Sequence, residues 1–254
     1  MKLSNAYISI GLLFSILFMM GFACKSGETS GPASANSPTN TTTVSSKAPS
    51  TDSGVATDVA GKYAVTGNNE GGRGHYSGNL VVTKHGEVYQ FSWTSGGRSF
   101  DGVGVQTGNN VAVAFTNGND GRGCGVVLYS IKSDGGLDGK AGYWGVNLSE
   151  TETANRKSGT DLDGEYDITG SNPDGGNYTG TLSVKKNGAG YDFDWKAGEA
   201  IKGFGIRQGN TVSVGIGGNQ CGFVGYEVKP DGTLEGKWGS PGTTSIGTET
   251  AKKQ

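Results

Sequence analysis

The sequence predicts an all-β protein built from two tandem antiparallel modules. Each holds seven or eight short strands closed as a small barrel or a strongly curved sheet. Three observations predict it. The second half repeats the first: Tyr63-Ala-Val-Thr-Gly67 recurs as Tyr166-Asp-Ile-Thr-Gly170, and Tyr89-Gln-Phe-Ser-Trp93 as Tyr191-Asp-Phe-Asp-Trp195. Within each copy, large apolar residues alternate with polar ones, the period-two signature of strands with one buried face. The chain also carries 48 glycines, only five of them before Ala60, with Asn-Gly and Asp-Gly turn signals between the alternating runs.

The first 23 residues stand outside the fold. Lys2 gives a positive start, Ala6 to Phe22 is apolar apart from Ser and Gly, and Ala23 precedes Cys24. This is the layout of a secretory signal. A cysteine directly after a small residue resembles the bacterial lipoprotein signal, which implies that Cys24 is acylated and becomes the mature N-terminus. The position three before it is Gly21 rather than the usual Leu. The alternatives are an ordinary export signal with an incidental Cys24, or an uncleaved anchor. Residues 24–58 are rich in Ser, Thr, Pro and Gly and nearly free of large apolar groups, so they cannot bury enough surface to offset their ordering entropy. Such a tether reaches roughly 30–35 Å.

The modules follow: repeat 1 over 59–154, a linker over 155–161, repeat 2 over 162–251 and a tail over 252–254. In repeat 2, Tyr178, Gly180, Leu182 and Val184 share one face, and Tyr191, Phe193 and Trp195 alternate with Asp192 and Asp194. Leu234, Gly236 and Trp238 alternate with Glu235 and Lys237. Between the runs lie Pro173-Asp-Gly-Gly176, Asn187-Gly188 and Pro230-Asp-Gly232. Short connections favour antiparallel neighbours, and a meander of this size needs its edges closed or covered. A barrel does this, with inward Gly78, Gly180 and Gly236 permitting tight curvature. The alternative is one larger sheet or barrel shared by both repeats. The recurring aromatic rings are expected as core, each removing on the order of 150–250 Å² from water; the alternative is a platform on which a sugar or other ligand stacks.

Composition excludes several partners. Removing Lys2 with the signal leaves 20 basic and 23 acidic residues. That balance argues against nucleic acid and against a polybasic membrane contact. The two histidines, His75 and His85, have no partner at metal-ligand spacing, so no metal and no cofactor are expected. Gly71-Gly-Arg-Gly74 and Gly118-Asn-Asp-Gly121 precede no helix and are weak as phosphate loops. No nucleophile–base arrangement is visible, and no enzyme is expected.

Two features stand out as candidate sites. Cys124 and Cys221 occupy equivalent positions in the two copies. In an exported protein they are candidates for one inter-repeat disulfide; alternatively each is a small buried apolar residue of its own copy. The copies also differ in length. Val113 to Cys124 spans four more positions than Val214 to Cys221. The extra residues fall in Phe115–Gly123, which makes Phe115, Asp120 and Arg122 a candidate binding loop on a β scaffold.

The whole pattern resembles small secreted bacterial repeat proteins commonly labelled fibronectin-binding proteins. Gly164-Glu-Tyr166, Asn172-Pro-Asp-Gly175, Trp195-Lys-Ala-Gly198, Asp231 to Trp238 and Gly247-Thr-Glu249 carry the resemblance. Repeat 1 departs from it, reading Asn68-Asn-Glu-Gly71 and Ser149-Glu-Thr151. The resemblance implies an adhesin for host matrix protein such as fibronectin, and brings no residue-level site. The functional expectation is therefore a surface-exposed binding protein, held in the outer membrane of the cell envelope by acyl chains on Cys24. The alternative is a small-molecule-binding barrel of lipocalin- or avidin-like architecture.

Overall fold

A computed structural model describes residues 57–254 apart from Asn119; the signal segment, Cys24 and nearly all of the tether lie outside the described residues. Repeat 1 forms β1 (Gly61–Asn68), β2 (His75–His85), β3 (Val88–Ser95), β4 (Arg98–Thr107), β5 (Asn110–Asn117), β6 (Gly125–Ile131), β7 (Leu137–Tyr143) and β8 (Glu150–Thr160). Repeat 2 forms β9 (Asp163–Ser171), β10 (Asn177–Asn187), β11 (Gly190–Ala197), β12 (Glu199–Gln208), β13 (Thr211–Ile216), β14 (Gly222–Val228), β15 (Leu234–Gly239) and β16 (Gly247–Lys253). They close into two eight-stranded antiparallel barrels, as the repeat and the alternation predict.

The barrels are not the repeats. The first barrel runs β1-β16-β15-β14-β5-β4-β3-β2, and the second runs β10-β11-β12-β13-β6-β7-β8-β9. Each repeat gives five strands to one barrel and three to the other. The exchange occurs where β5, instead of turning back to β6, pairs with β14 (Val113 opposite Val224, Val111 opposite Tyr226). Symmetrically, β13 pairs with β6 (Val214 opposite Val127, Val212 opposite Tyr129). Two short crossovers, Gly118–Cys124 and Gly217–Cys221, carry the chain between barrels. Cys124 and Cys221 end them and are joined by a disulfide.

The strands at the junction are buried on both faces. Val111 and Val113 point into the first barrel, whereas Ala112 and Ala114 point outward. There they meet Val103, Val105, Val126 and Leu128 between the barrels. Two-sided burial explains the unbroken apolar runs Val111-Ala-Val-Ala-Phe115 and Val126-Val-Leu-Tyr129, where single-sided strands would alternate.

A pseudo-twofold relation shows in the contacts. The Glu87 backbone N–H donates to the Asn147 carbonyl at 2.8 Å, and Ala189 donates to Thr243 at 3.1 Å. The mouth loop of each barrel thus rests on a closed-end hairpin of the other, and the mouths face opposite ends. Each closed end is plugged in the same way. The Tyr63 hydroxyl donates to the Val59 carbonyl at 2.7 Å, and Tyr166 donates to Leu162 at 2.8 Å.

One boundary is corrected. The expected linker Asn155–Asp161 is not a connection between modules: Asn155 to Thr160 belong to β8, paired with β9 across a bulge between Arg156 and Ser158. The chain turns at Asp161 and Leu162, with Asp161 at φ 58°. Arg156 reaches back over the Tyr166 ring, 5.7 Å from its centre, and gives this polar stretch a reason to remain in the sheet. Likewise, Lys252 and Lys253 of the expected tail complete β16.

Candidate functional site

Glycine shapes the barrel interiors. A Cβ on Gly67 would fall 2.2 Å from the Tyr76 ring, and one on Gly236 would fall 2.5 Å from the Tyr226 ring. The same pairs recur as Gly170 with Tyr178 and Gly139 with Tyr129. Each ring lies flat across a glycine of the neighbouring strand, which brings its hydroxyl to the barrel axis. The inward glycines therefore make room for rings as well as curvature.

On that axis each barrel holds one buried carboxylate. In the first, Tyr226 and the Trp93 indole N–H donate to Glu249 Oε1, the indole at 3.0 Å, and Tyr76 donates to Oε2 at 2.9 Å. In the second, Tyr129 and Trp195 donate to Glu152 Oε1, the indole at 3.2 Å, and Tyr178 donates to Oε2 at 3.0 Å. Burial raises the Glu249 carboxyl above its ordinary value, and its three donors act in the opposite direction. Burial also raises the hydroxyls of Tyr226 and Tyr129 well above the usual phenol range, and the facing carboxylates add to the effect. These phenols stay protonated and serve as fixed donors.

Above this floor the first barrel opens into a cavity of about 380 Å³, at the lower end of the range for small-ligand sites. Its wall is aromatic. Trp93 and Phe115 lie 5.7 Å apart, Phe115 and Phe100 6.1 Å, and Tyr76 and Trp238 6.3 Å between ring centres. Asn69, Asn79, Ser95 and Arg98 supply its polar edge. Arg98 takes the first inward position of β4, straight after the two-residue turn Gly96-Gly97, both at positive φ.

The second barrel keeps the floor and changes the mouth. Where the first has Phe100, Phe115 and Trp238, the second has Ile201, Ile216 and Ala141; where the first has Arg98, the second has Glu199. One exchange is compensated across the sheet. Trp238 stands opposite Gly247, whose absent side chain leaves room for the indole, 2.3 Å from where a Cβ would lie. In the second barrel the same pair is Ala141 opposite Glu150. Glu150 is half-buried, and burial, with Glu152 and Asp174 nearby, raises its carboxyl to about 7.

The structure divides the expected binding loop. Phe115 ends β5 and lines the cavity. Asp120 and Arg122 lie on the first crossover, where they pair with each other at 3.3 Å and are exposed. The length difference that singled them out belongs to the crossover and not to the cup. Cys124 and Cys221 are buried and bonded to each other. Sequence reasoning missed Glu249, Arg98 and Trp238 as site residues. The Glu-Thr-Ala shared by the ends of both copies, at 152–154 and 249–251, was the signal for the floor carboxylates. Among the described residues no group of three or more His, Cys, Asp or Glu is placed to hold a metal ion. Comparison with family models, with curated proteins and with solved structures finds no match.

Proposed function

We propose that this chain is a small-molecule-binding lipoprotein of the bacterial cell envelope, with the cup of the first barrel as its binding site. The observation that carries the reading is the cavity itself: about 380 Å³, aromatic-walled and open at one end, over a floor already saturated with hydrogen bonds. A folding core has no need of that space, because interiors pack to the density of organic crystals. The lipoprotein-like signal and tether support an envelope location, with Cys24 as the attachment point. The role is binding, through apolar contact and ring stacking, which pockets of this kind supply.

Titration of the mature protein with neutral 2-naphthylmethanol, followed by the fluorescence of Trp93 and Trp238, tests the reading. Saturable one-site binding is expected, with a dissociation constant on the order of 0.1 mM for a ligand of this size. Binding should be lost in Phe115→Ala/Trp238→Ala. Absence of saturable binding together with saturable capture of immobilised fibronectin would instead support the adhesin role implied by the resemblance.

A further inference from the structure

We propose that the cup of the first barrel takes a flat aromatic or conjugated molecule bearing an anionic group, and that Arg98 is the residue that selects the charge. This rests on the reading of the cup as a ligand site and adds the chemical class of the ligand. Two duplicated barrels separate what the fold requires from what a ligand requires. The Glu-Tyr-Tyr-Trp floor is present twice, so it belongs to the fold. The mouth differs, and it differs consistently. Three apolar positions that are aliphatic or small in the second barrel are aromatic in the first, and the charged position changes sign from Glu199 to Arg98.

The charges lining the cavity are Arg98 at the rim and Glu249 at the floor. Glu249 already accepts three hydrogen bonds and is held away from the opening. Arg98 is exposed and enters none of the ion pairs formed by the described residues. Its guanidinium offers a planar fork that meets carboxylate or phosphate two bonds at a time, and Asn69, Asn79 and Ser95 add neutral polar groups around it. A ring system between the Trp93/Phe115 wall and the Trp238/Tyr76 wall places a substituent at the mouth, where Arg98 waits. Stacking sets the shape of the ligand and the rim sets its charge.

Three probes of one ring system separate these contributions: naphthalene-2-carboxylate, 2-naphthylmethanol and 2-naphthylmethylammonium. Each is titrated into the wild-type protein, Arg98→Glu and, as a control in the other mouth, Glu199→Arg. The carboxylate should bind about fivefold tighter than the alcohol, since a rim pair is partly screened. Added salt should shrink that preference. Arg98→Glu should abolish it, so that the carboxylate binds no tighter than the alcohol, and Glu199→Arg, in the other barrel's mouth, should leave the preference in place. Equal affinity for all three probes, unchanged by Arg98→Glu, would overturn the charge assignment and leave the cup standing as a site. Preference for the ammonium would overturn it in favour of the floor carboxylate. Failure of every probe to bind would remove the cup itself.

Discussion

The two barrels of this chain share a floor and differ at the mouth. Glu249 accepts from Tyr76, Tyr226 and Trp93 as Glu152 accepts from Tyr178, Tyr129 and Trp195, oxygen for oxygen. One level higher, Trp238 over Gly247 in one barrel becomes Ala141 beside Glu150 in the other. A duplication thus acts as an internal control. The axial carboxylate and its ring donors are what an eight-stranded barrel of this kind needs to fill its centre with satisfied polar groups. The rings and charges of the mouth are free to change, and in the first barrel they surround a cavity.

The strongest way to break the comparison is to untie the barrels from each other. The disulfide joins residues 97 apart in sequence, and a loop of that size restricts the unfolded chain by up to roughly 4–5 kcal/mol. Cys124→Ser/Cys221→Ser should therefore lower Tm by roughly 10 °C. Calorimetry under non-reducing conditions checks this. One transition that splits into two would show that the barrels fold as separable units once the crossovers are released.

A second test bears on the floor. Replacing either axial carboxylate by an amide keeps one acceptor oxygen and turns the other into an NH2 donor facing a ring donor. Glu249→Gln and Glu152→Gln should each cost about 1–3 kcal/mol, and by similar amounts. Chemical denaturation measures both. A much smaller loss for Glu249→Gln would mean that the first floor is kept for a ligand and not for the fold.

The smallest effect concerns the second mouth. Glu150 is raised to about 7 in the folded protein, from an ordinary carboxyl value of 4.5, by burial and by Glu152 and Asp174, with Tyr143 close by. Between those pH values the folded state keeps a proton that the unfolded chain has released. Its contribution therefore makes stability fall as pH rises through the window, and the loss is complete above about pH 7. Water screens a half-buried group, so the effect is modest. Glu150→Gln should flatten the decline of Tm between pH 4.5 and 7, read by thermal melts across buffers. An unchanged slope would assign the pH dependence elsewhere.

The sequence made the barrels and their inward faces legible because period-two alternation and turn glycines are local signals. Tyr178, Leu182 and Val184 stand together inside, as their spacing requires. Strand exchange was not legible, and the reason is the repeat itself. Strand β14 is the sequence counterpart of β6, so β5 finds the same Val-x-Tyr face on either: Val224 and Tyr226, or Val127 and Tyr129. Hydrophobic pattern fixes register, but it cannot choose between two strands that present the same pattern. The cup was legible only in part. Phe115 emerged from the comparison of copies, whereas Trp238 read as another core ring. Its pairing with Gly247 follows from a cross-strand register that no local signal encodes.

The order of strands has a consequence for a chain that is made from one end. The second barrel, β6 to β13, is continuous in sequence, whereas the first is interrupted by all of it. A chain emerging N-terminus first presents β1 to β5 as an open sheet. It completes the second barrel next, and only then supplies β14 to β16. Until β14 arrives β5 is an unpaired edge, and until β16 arrives β1 is another, edges of the kind that capture other chains. The nested order makes the C-terminal β16 the closing stave of the molecule. A truncation of even that one strand leaves the first barrel open while its neighbour stands complete.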